Sequence, residues 1–296
     1  MISHRPVRTL AVALALAVSV AVGLCSGPAA AEETPAAPPE IDWYYSLDQA
    51  VAHAATIGRQ VAAVFYTDWC KWCRLLDDST FSDPRITPII DRLVFARVNA
   101  ESDTAAAHRY SVRAYPTVII LTLEGQEVDR LVGYLPPEEF EKTMTDYLDG
   151  RGTYWDIDRK LKRDSKNPEL VFAIAEKYEQ RGEIDNSREN YRKVVSLDEK
   201  NAEGWTDNAL FALARLHREQ GKWYKAAEGF RRMLESYPES ELRPDAEAYI
   251  PWLFEQAGDT TRALEYYQAF VKQYKGSRDR PWAEKRIAAL TPRNED

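Results

Sequence analysis

The spacing of apolar positions changes along the chain and divides it into three parts. Leu10 to Leu24 is an uninterrupted run without a charge. From about residue 41 to 150, short apolar runs alternate with stretches of helical period. Leu47 to Ile57 has helical spacing and Gly58 ends it. Val61 to Tyr66 (VAAVFY) is a short run of strand formers and predicts a buried strand. Cys70 to Leu76 has helical character, Leu93 to Val98 predicts a second strand, and Ala105 to Tyr110 a short helix. Thr117 to Leu123 predicts a third strand, Glu124-Gly125 a turn, and Gln126 to Val132 the returning fourth. Glu138 to Leu148 closes the region as a helix behind Pro136-Pro137. Strand–helix–strand followed by a hairpin and a helix predicts an α/β domain with a mixed sheet flanked by helices, at 41–150.

The remainder is helical and repeats. Ala175, Tyr178, Gly182, Ser187, Tyr191 and Val194 form a frame that recurs as Ala214, His217, Gly221, Ala226, Phe230 and Met233. It recurs again as Pro251, Phe254, Gly258, Ala263, Tyr267 and Phe270. Units at about 168–201, 207–240 and 244–277 follow, with a capping helix at 282–290 and a linker or helix at 151–167. A helix–turn–helix unit with Gly at the turn and an aromatic on the second helix resembles the tetratricopeptide repeat. Each pair cannot bury its own apolar face, so stacking builds the core. Arg188, Arg192, Arg231 and Arg232 read as a solvated face paired with the frequent glutamates.

Composition narrows the function classes. The 296 residues carry a net charge of −8, which argues against a general nucleic-acid binder. Three cysteines and four histidines exclude a disulfide-dense scaffold and a zinc cage of four Cys/His ligands. Arg5 and Arg8, the apolar run and Ala29-Ala30-Ala31 have the layout of a signal peptide at 1–31, cleaved after about Ala31. Cleavage leaves two cysteines, Cys70 and Cys73, and a net charge of 37 − 47 = −10. Residues 32–40 (EETPAAPPE) read as a flexible linker. All of the excess negative charge lies in 32–150, which holds 10 basic and 20 acidic residues, against 27 of each in 151–296.

Thr67-Asp68-Trp69-Cys70-Lys71-Trp72-Cys73 follows a predicted strand and opens a helix, and Ala114-Tyr115-Pro116-Thr117 opens a later strand. Together with Thr80 to Pro84 (TFSDP), these motifs resemble the thioredoxin superfamily, in particular its exported bacterial members, over about 41–150. The resemblance implies a thioredoxin-like fold and a redox-active Cys70–Cys73 pair. It also implies a cis-proline at Pro116, whose neighbour Tyr115 offers backbone groups to an extended substrate. Independently of it, a thiolate at a helix N-terminus is stabilised by free N–H groups, so Cys70 is the expected nucleophile. Cys73, one turn further in, is the expected resolving thiol and the more buried of the two. Trp69 is expected to shield the pair, Lys71 to add positive potential and Asp68 to oppose it. Two positions depart from the common thioredoxin pattern. Val64 stands where a buried Asp is usual, and Lys71-Trp72 stands between the cysteines where Gly-Pro is common.

The leading expectation is a periplasmic thiol–disulfide oxidoreductase that acts on protein thiols or disulfides, with the direction of electron flow left open; working as a reductase it would need a donor such as a membrane thiol carrier. Its repeats would recruit a protein partner. No metal and no dissociable cofactor are expected, because the cysteine pair is the redox centre. The second expectation is a scaffold or chaperone-like protein that works through the repeat groove, with the first domain as a docking module. Two lesser readings are a fixed structural disulfide and a metal carrier using the two thiolates.

Overall fold

The computed structural model describes residues 38–291. The expected signal peptide at 1–31 and most of the expected linker at 32–40 lie outside the described residues.

The sheet is built around β2 (Gln60–Tyr66), which pairs in parallel with β3 (Leu93–Asn99) and antiparallel with β4 (Thr117–Leu121). β1 (Trp43–Tyr44) extends one edge beside β3, and β5 (Glu127–Val132) forms the other beside β4, giving the order β1-β3-β2-β4-β5. The sheet thus has five strands where four are predicted. β1 is two residues long, too short to show alternation. β4 stops at Leu121, short of the predicted Leu123, because the Thr122 hydroxyl accepts the N–H groups of Glu124 and Gln126 and folds the chain into the hairpin turn.

β2 reads as a continuous apolar run because both faces of it are covered. Val61, Ala63 and Phe65 pack with Leu47, Ala50 and Ala54 of α1 (Leu47–Ile57) and with Ala106 and Ala107 of α4 (Thr104–Arg109). Ala62 and Val64 pack on the opposite face with Leu76, Phe81, and Phe140 and Met144 of α5 (Pro137–Leu148). Between β2 and β3 run α2 (Lys71–Leu75) and α3 (Thr87–Ile90). The predicted helix at 70–76 passes into a wider π turn at Leu76–Thr80, where Phe81 N–H donates to Leu76 O at 2.9 Å. The wider turn brings Leu76 and Phe81 together into the same core.

The C-terminal half is helical throughout: α6 (Tyr154–Arg163), then the pairs α7 (Pro168–Gln180) with α8 (Ile184–Leu197), α9 (Thr206–Glu219) with α10 (Trp223–Ser236), and α11 (Arg243–Gln256) with α12 (Thr260–Gln273). α13 (Arg280–Leu290) packs last. Gly182, Gly221 and Gly258 take positive φ of 75°, 67° and 80° at the turns inside the three pairs. Ala175, Tyr191 and Val194 are buried, as are their counterparts Ala214, Phe230 and Met233 in the second pair and Tyr267 and Phe270 in the third. Tyr191 donates its hydroxyl to Glu179 and Tyr267 to Glu255, which lets a phenol occupy the core position. Ser187 and Pro251, the departures from the repeat pattern, are accommodated as fully or nearly fully buried residues. Arg231 and Arg232 pair with Glu228, as a charged outer face requires, whereas Arg188 pairs with Asp185 and keeps only 18% of its side chain exposed.

A buried charged cluster joins the two halves. β5 is an edge strand, and α7 covers it. Asp129 on β5 is completely buried; its Oδ2 accepts Tyr154 N–H at 2.7 Å and lies 2.9 Å from Lys177 Nζ. Lys177 also donates to Tyr147 OH at 2.7 Å. Burial holds the Lys177 ammonium below the usual lysine range, while Asp129 opposes that shift. On the other face of β5, Arg130 is paired with Glu127 and donates from Nη2 to Tyr110 O at 2.7 Å. Arg181 pairs with Glu127 at 3.3 Å and stacks over the Tyr154 ring.

Removing one partner of such a pair strands the other charge away from water. Asp129→Ala should therefore lower the unfolding free energy by about 3–5 kcal/mol, read by denaturant titration of the full chain. A second expectation concerns pH. Loss of hydration, reinforced by Glu179 and opposed by Arg215, pushes the Glu176 carboxyl from 4.5 up to about 7. The folded chain then holds that proton more tightly than the unfolded chain, so this group makes stability fall as pH rises from 4.5 towards 7. Glu176 is nevertheless exposed, which screens this shift, so the effect is below about 1 kcal/mol. Glu176→Gln should raise the melting temperature at pH 8 more than at pH 5.

Candidate redox site

β2 ends at Tyr66, and the chain turns through Thr67-Asp68-Trp69 before α2 begins. Cys70 is the N-cap of α2: its backbone is extended, and its Sγ accepts the Cys73 N–H at 3.0 Å. Cys73 follows one turn later and the two are joined in a disulfide, with Cα atoms 5.3 Å apart. Both are buried in this oxidised form, Cys70 at 3% exposure and Cys73 at 5%, so Cys73 is not the more buried.

The sequence-predicted residues gather around this pair. The Tyr115–Pro116 peptide bond is cis, as the resemblance implies. The Trp69 and Tyr115 rings meet edge to face at 6.1 Å. Trp69 is 66% exposed, so most of its surface faces solvent. Trp72 is partly exposed and stacks on Tyr134 at 5.9 Å. Among the described residues, Tyr115 makes no backbone hydrogen bond, whereas Pro116 O accepts from Gly133 N–H at 2.7 Å. Lys71 is exposed and has no ion pair among the described residues. The Asp68 carboxylate is engaged by Asn99, whose Nδ2 donates to it at 3.0 Å. Asp68 is therefore tied to β3 rather than aimed at the sulfur.

Several contributors are invisible in the local motif. Glu101 accepts Asp68 N–H at 3.1 Å and Trp69 Nε1–H at 3.2 Å, clamping the approach to Cys70. Arg74 donates to Asp68 O at 2.9 Å. Tyr134, in the loop after β5, completes the aromatic wall beside Trp72 and bonds Ser79 in the π turn at 3.1 Å. The signal for Asn99 and Glu101 is topological: β2 and β3 are parallel with Tyr66 opposite Asn99, so residues just after both strands share one end of the sheet. Val64 pairs with Arg97, whose guanidinium reaches Asp77 at 2.5 Å. A carboxylate from the segment after α2 thus partners the strand beside Val64. Among the described residues, no group of three or more His, Cys, Asp or Glu side chains is placed to hold a metal ion. No described helix is long and apolar enough to cross a membrane.

A mixed sheet covered on both faces, with a Cys-x-x-Cys disulfide where a strand meets a helix and a cis-proline beside it, defines a thioredoxin-like domain. Comparison with known sequences agrees. The family model described as a thioredoxin-like domain matches residues 47–148, and that of the tetratricopeptide repeat matches 208–240 and 252–277. This chain therefore carries a thioredoxin-like domain followed by tetratricopeptide repeats. The thiol:disulfide interchange protein DsbD of Salmonella typhi is 31% identical over 106 residues, which is 34% of this chain and 18% of the relative. The chloroplastic thioredoxin M4 of Arabidopsis thaliana is 32% identical over 96 residues, covering 30% of this chain and 44% of that protein. A thioredoxin from Thermus thermophilus, of known structure, is 30% identical with a TM-score of 0.33, covering 36% of this chain and 85% of that one. The chain thus spans less than half the length of either curated relative.

The Glu101 clamp gives a direct test. Glu101→Ala should release the Trp69 indole N–H, moving its NMR resonance and speeding its exchange, at a cost of about 1 kcal/mol in stability. Glu101→Gln, which keeps an acceptor, should retain most of the protection.

Proposed function

We propose that this chain is an exported thiol–disulfide oxidoreductase acting on protein thiols and disulfides through Cys70 and Cys73. The observation that carries the reading is the position of Cys70 at the start of α2, its Sγ already accepting the Cys73 N–H, with the neighbouring Trp69 ring in contact with Tyr115. An N–H directed at Cys70 Sγ in the reduced pair would favour its thiolate over its thiol.

The chemistry is exchange and balances without an added oxidant. In one direction, a client thiolate attacks Cys70 Sγ, the Cys70–Cys73 bond breaks, and Cys73 leaves with the electron pair and takes up a proton. A second client thiolate then displaces Cys70, and the client departs with a disulfide. The reverse sequence begins with the Cys70 thiolate attacking a client disulfide, and Cys73 resolves the mixed disulfide. Tyr115 has free backbone groups beside the pair, suited to an extended client segment. Trp69, Trp72 and Tyr134 form the apolar surface on which such a segment would lie.

The sequence layout at 1–31 supports export, with the periplasm as the compartment and a membrane thiol carrier as electron donor where the protein works as a reductant. The repeat region is read as the part that recruits a protein partner, and no dissociable cofactor enters this scheme.

Equilibration with glutathione or dithiothreitol, followed by thiol trapping, measures the potential of the pair. A value near about −120 mV assigns disulfide donation, and one near about −270 mV assigns reduction of clients. Cys73→Ser should accumulate a mixed disulfide on Cys70, and Cys70→Ser should abolish exchange. A pair that stays oxidised in strong reductant would sink this reading and leave a structural disulfide.

A further inference from the structure

The loop that carries cis-Pro116 is supported by the first helix pair of the repeat region. Arg130 is the first link. Its Nη2 donates to Tyr110 O at 2.7 Å, where the loop begins, and its Nη1 donates to Gln180 O at 3.3 Å, at the end of α7. The second link lies three residues along the loop. The guanidinium of Arg113, an otherwise exposed residue, lies against Gly182: a Cβ at that glycine would fall 2.6 Å from Arg113 Cζ and 2.8 Å from Nε, so the guanidinium would have to leave its place. Gly182 also has a φ of 75°, which an L side chain adopts only with strain. Two contacts thus run from one helix turn to the segment between Tyr110 and Pro116. The turn is itself fixed, because α7 is anchored on β5 through Lys177–Asp129 and Arg181–Glu127.

We propose that the α7–α8 turn is a working part of the redox site: by seating Arg113 against Gly182 it sets the position of residues 111–116, and with them the Tyr115 backbone that a peptide thiol meets on its way to Cys70. The inference rests on the reading of Cys70–Cys73 as an exchanging pair. Arg113 and Gly182 are positioning residues, acting through the loop. The repeats then serve not only as a separate recruiting surface, because their first turn shapes the groove in which exchange occurs. A thiol with a peptide backbone depends on this support, and a small thiol without one does not.

The test uses the full-length oxidised chain and two monothiols compared at equal thiolate concentration: 2-mercaptoethanol, and a capped short peptide with one central cysteine. The readout is the rate of attack on the Cys70–Cys73 disulfide. The parent should react faster with the peptide than with 2-mercaptoethanol. Arg113→Ala and Gly182→Ala should each slow the peptide reaction by roughly tenfold, the scale of effect of a small misplacement of reacting groups. The reaction with 2-mercaptoethanol should stay within about twofold, which a general loss of structure would not permit. The double variant should be no slower than the worse single one, because both changes break the same contact. Arg113→Ala introduces no backbone strain, so it keeps the test valid if Gly182→Ala folds poorly. Retention of the peptide preference in Arg113→Ala, or no preference in the parent, would overturn the proposal. A disulfide inert to both thiols would overturn the exchange reading itself, and this inference with it.

Discussion

The structure turns on one buried carboxylate. Asp129 sits on the edge strand of the sheet with no exposure, and it is held there by Lys177, the Tyr154 N–H and the Arg130 N–H. An exposed edge strand is a template for unwanted pairing. Here the edge is covered by a helix of the repeat region, and the charges on β5 are matched by charges on α7. Such a cluster gains little net stability over an apolar contact, because desolvating the ions offsets their attraction. What it supplies is geometry. A lysine and a carboxylate buried together tolerate few alternative placements, so the repeats meet the sheet in one register.

That register has consequences for the chemistry. The same strand that carries Asp129 carries Arg130, and Arg130 bridges the end of α7 to the start of the cis-proline loop. The loop after β5 returns to Pro116 through Gly133 and to Trp72 through Tyr134. The disulfide is therefore surrounded by three segments far apart in sequence: the end of β2, the loop before β4 and the loop after β5. Glu101, at the end of β3, adds a fourth and clamps Trp69 and Asp68. None of these contacts touches a sulfur directly, yet together they shape the surface around the disulfide.

The aromatic surroundings distinguish this site from a bare cysteine pair. Trp69 lies beside Tyr115 and Trp72 beside Tyr134, so each flank of the disulfide presents an apolar face that remains partly in water. Exposed tryptophan is costly for a soluble surface and is characteristic of places where another chain is received. The acidic groups nearby, Asp68 and Glu101, are spent on hydrogen bonds to Asn99 and to the Trp69 segment. The positive groups, Lys71 and Arg74, stand on the helix itself.

The sequence by itself determined most of the elements and the cysteine pair. Local periodicity located α1, β2, β3, α4, β4, β5 and α5, because each is built from enough residues for its period to show. The repeat frame located the three helix pairs, because a recurring Gly with buried small and aromatic partners is imposed by the packing of each unit on the next. Cys70, Cys73 and Pro116 were legible as a motif. The tertiary structure alone decided the rest. β1 is too short to leave a pattern, and the π turn after α2 follows from the need to bury Leu76 and Phe81 together. Glu101 and Tyr134 join the surroundings of the disulfide only because parallel pairing and the return of the chain after β5 bring distant residues to one end of the sheet. Asp129, Arg130 and Lys177 look like ordinary surface charges in the sequence, since nothing local says that a helix will cover them. Charge that is buried against charge has no signature in one strand read alone; its meaning lies in the partner that closes over it.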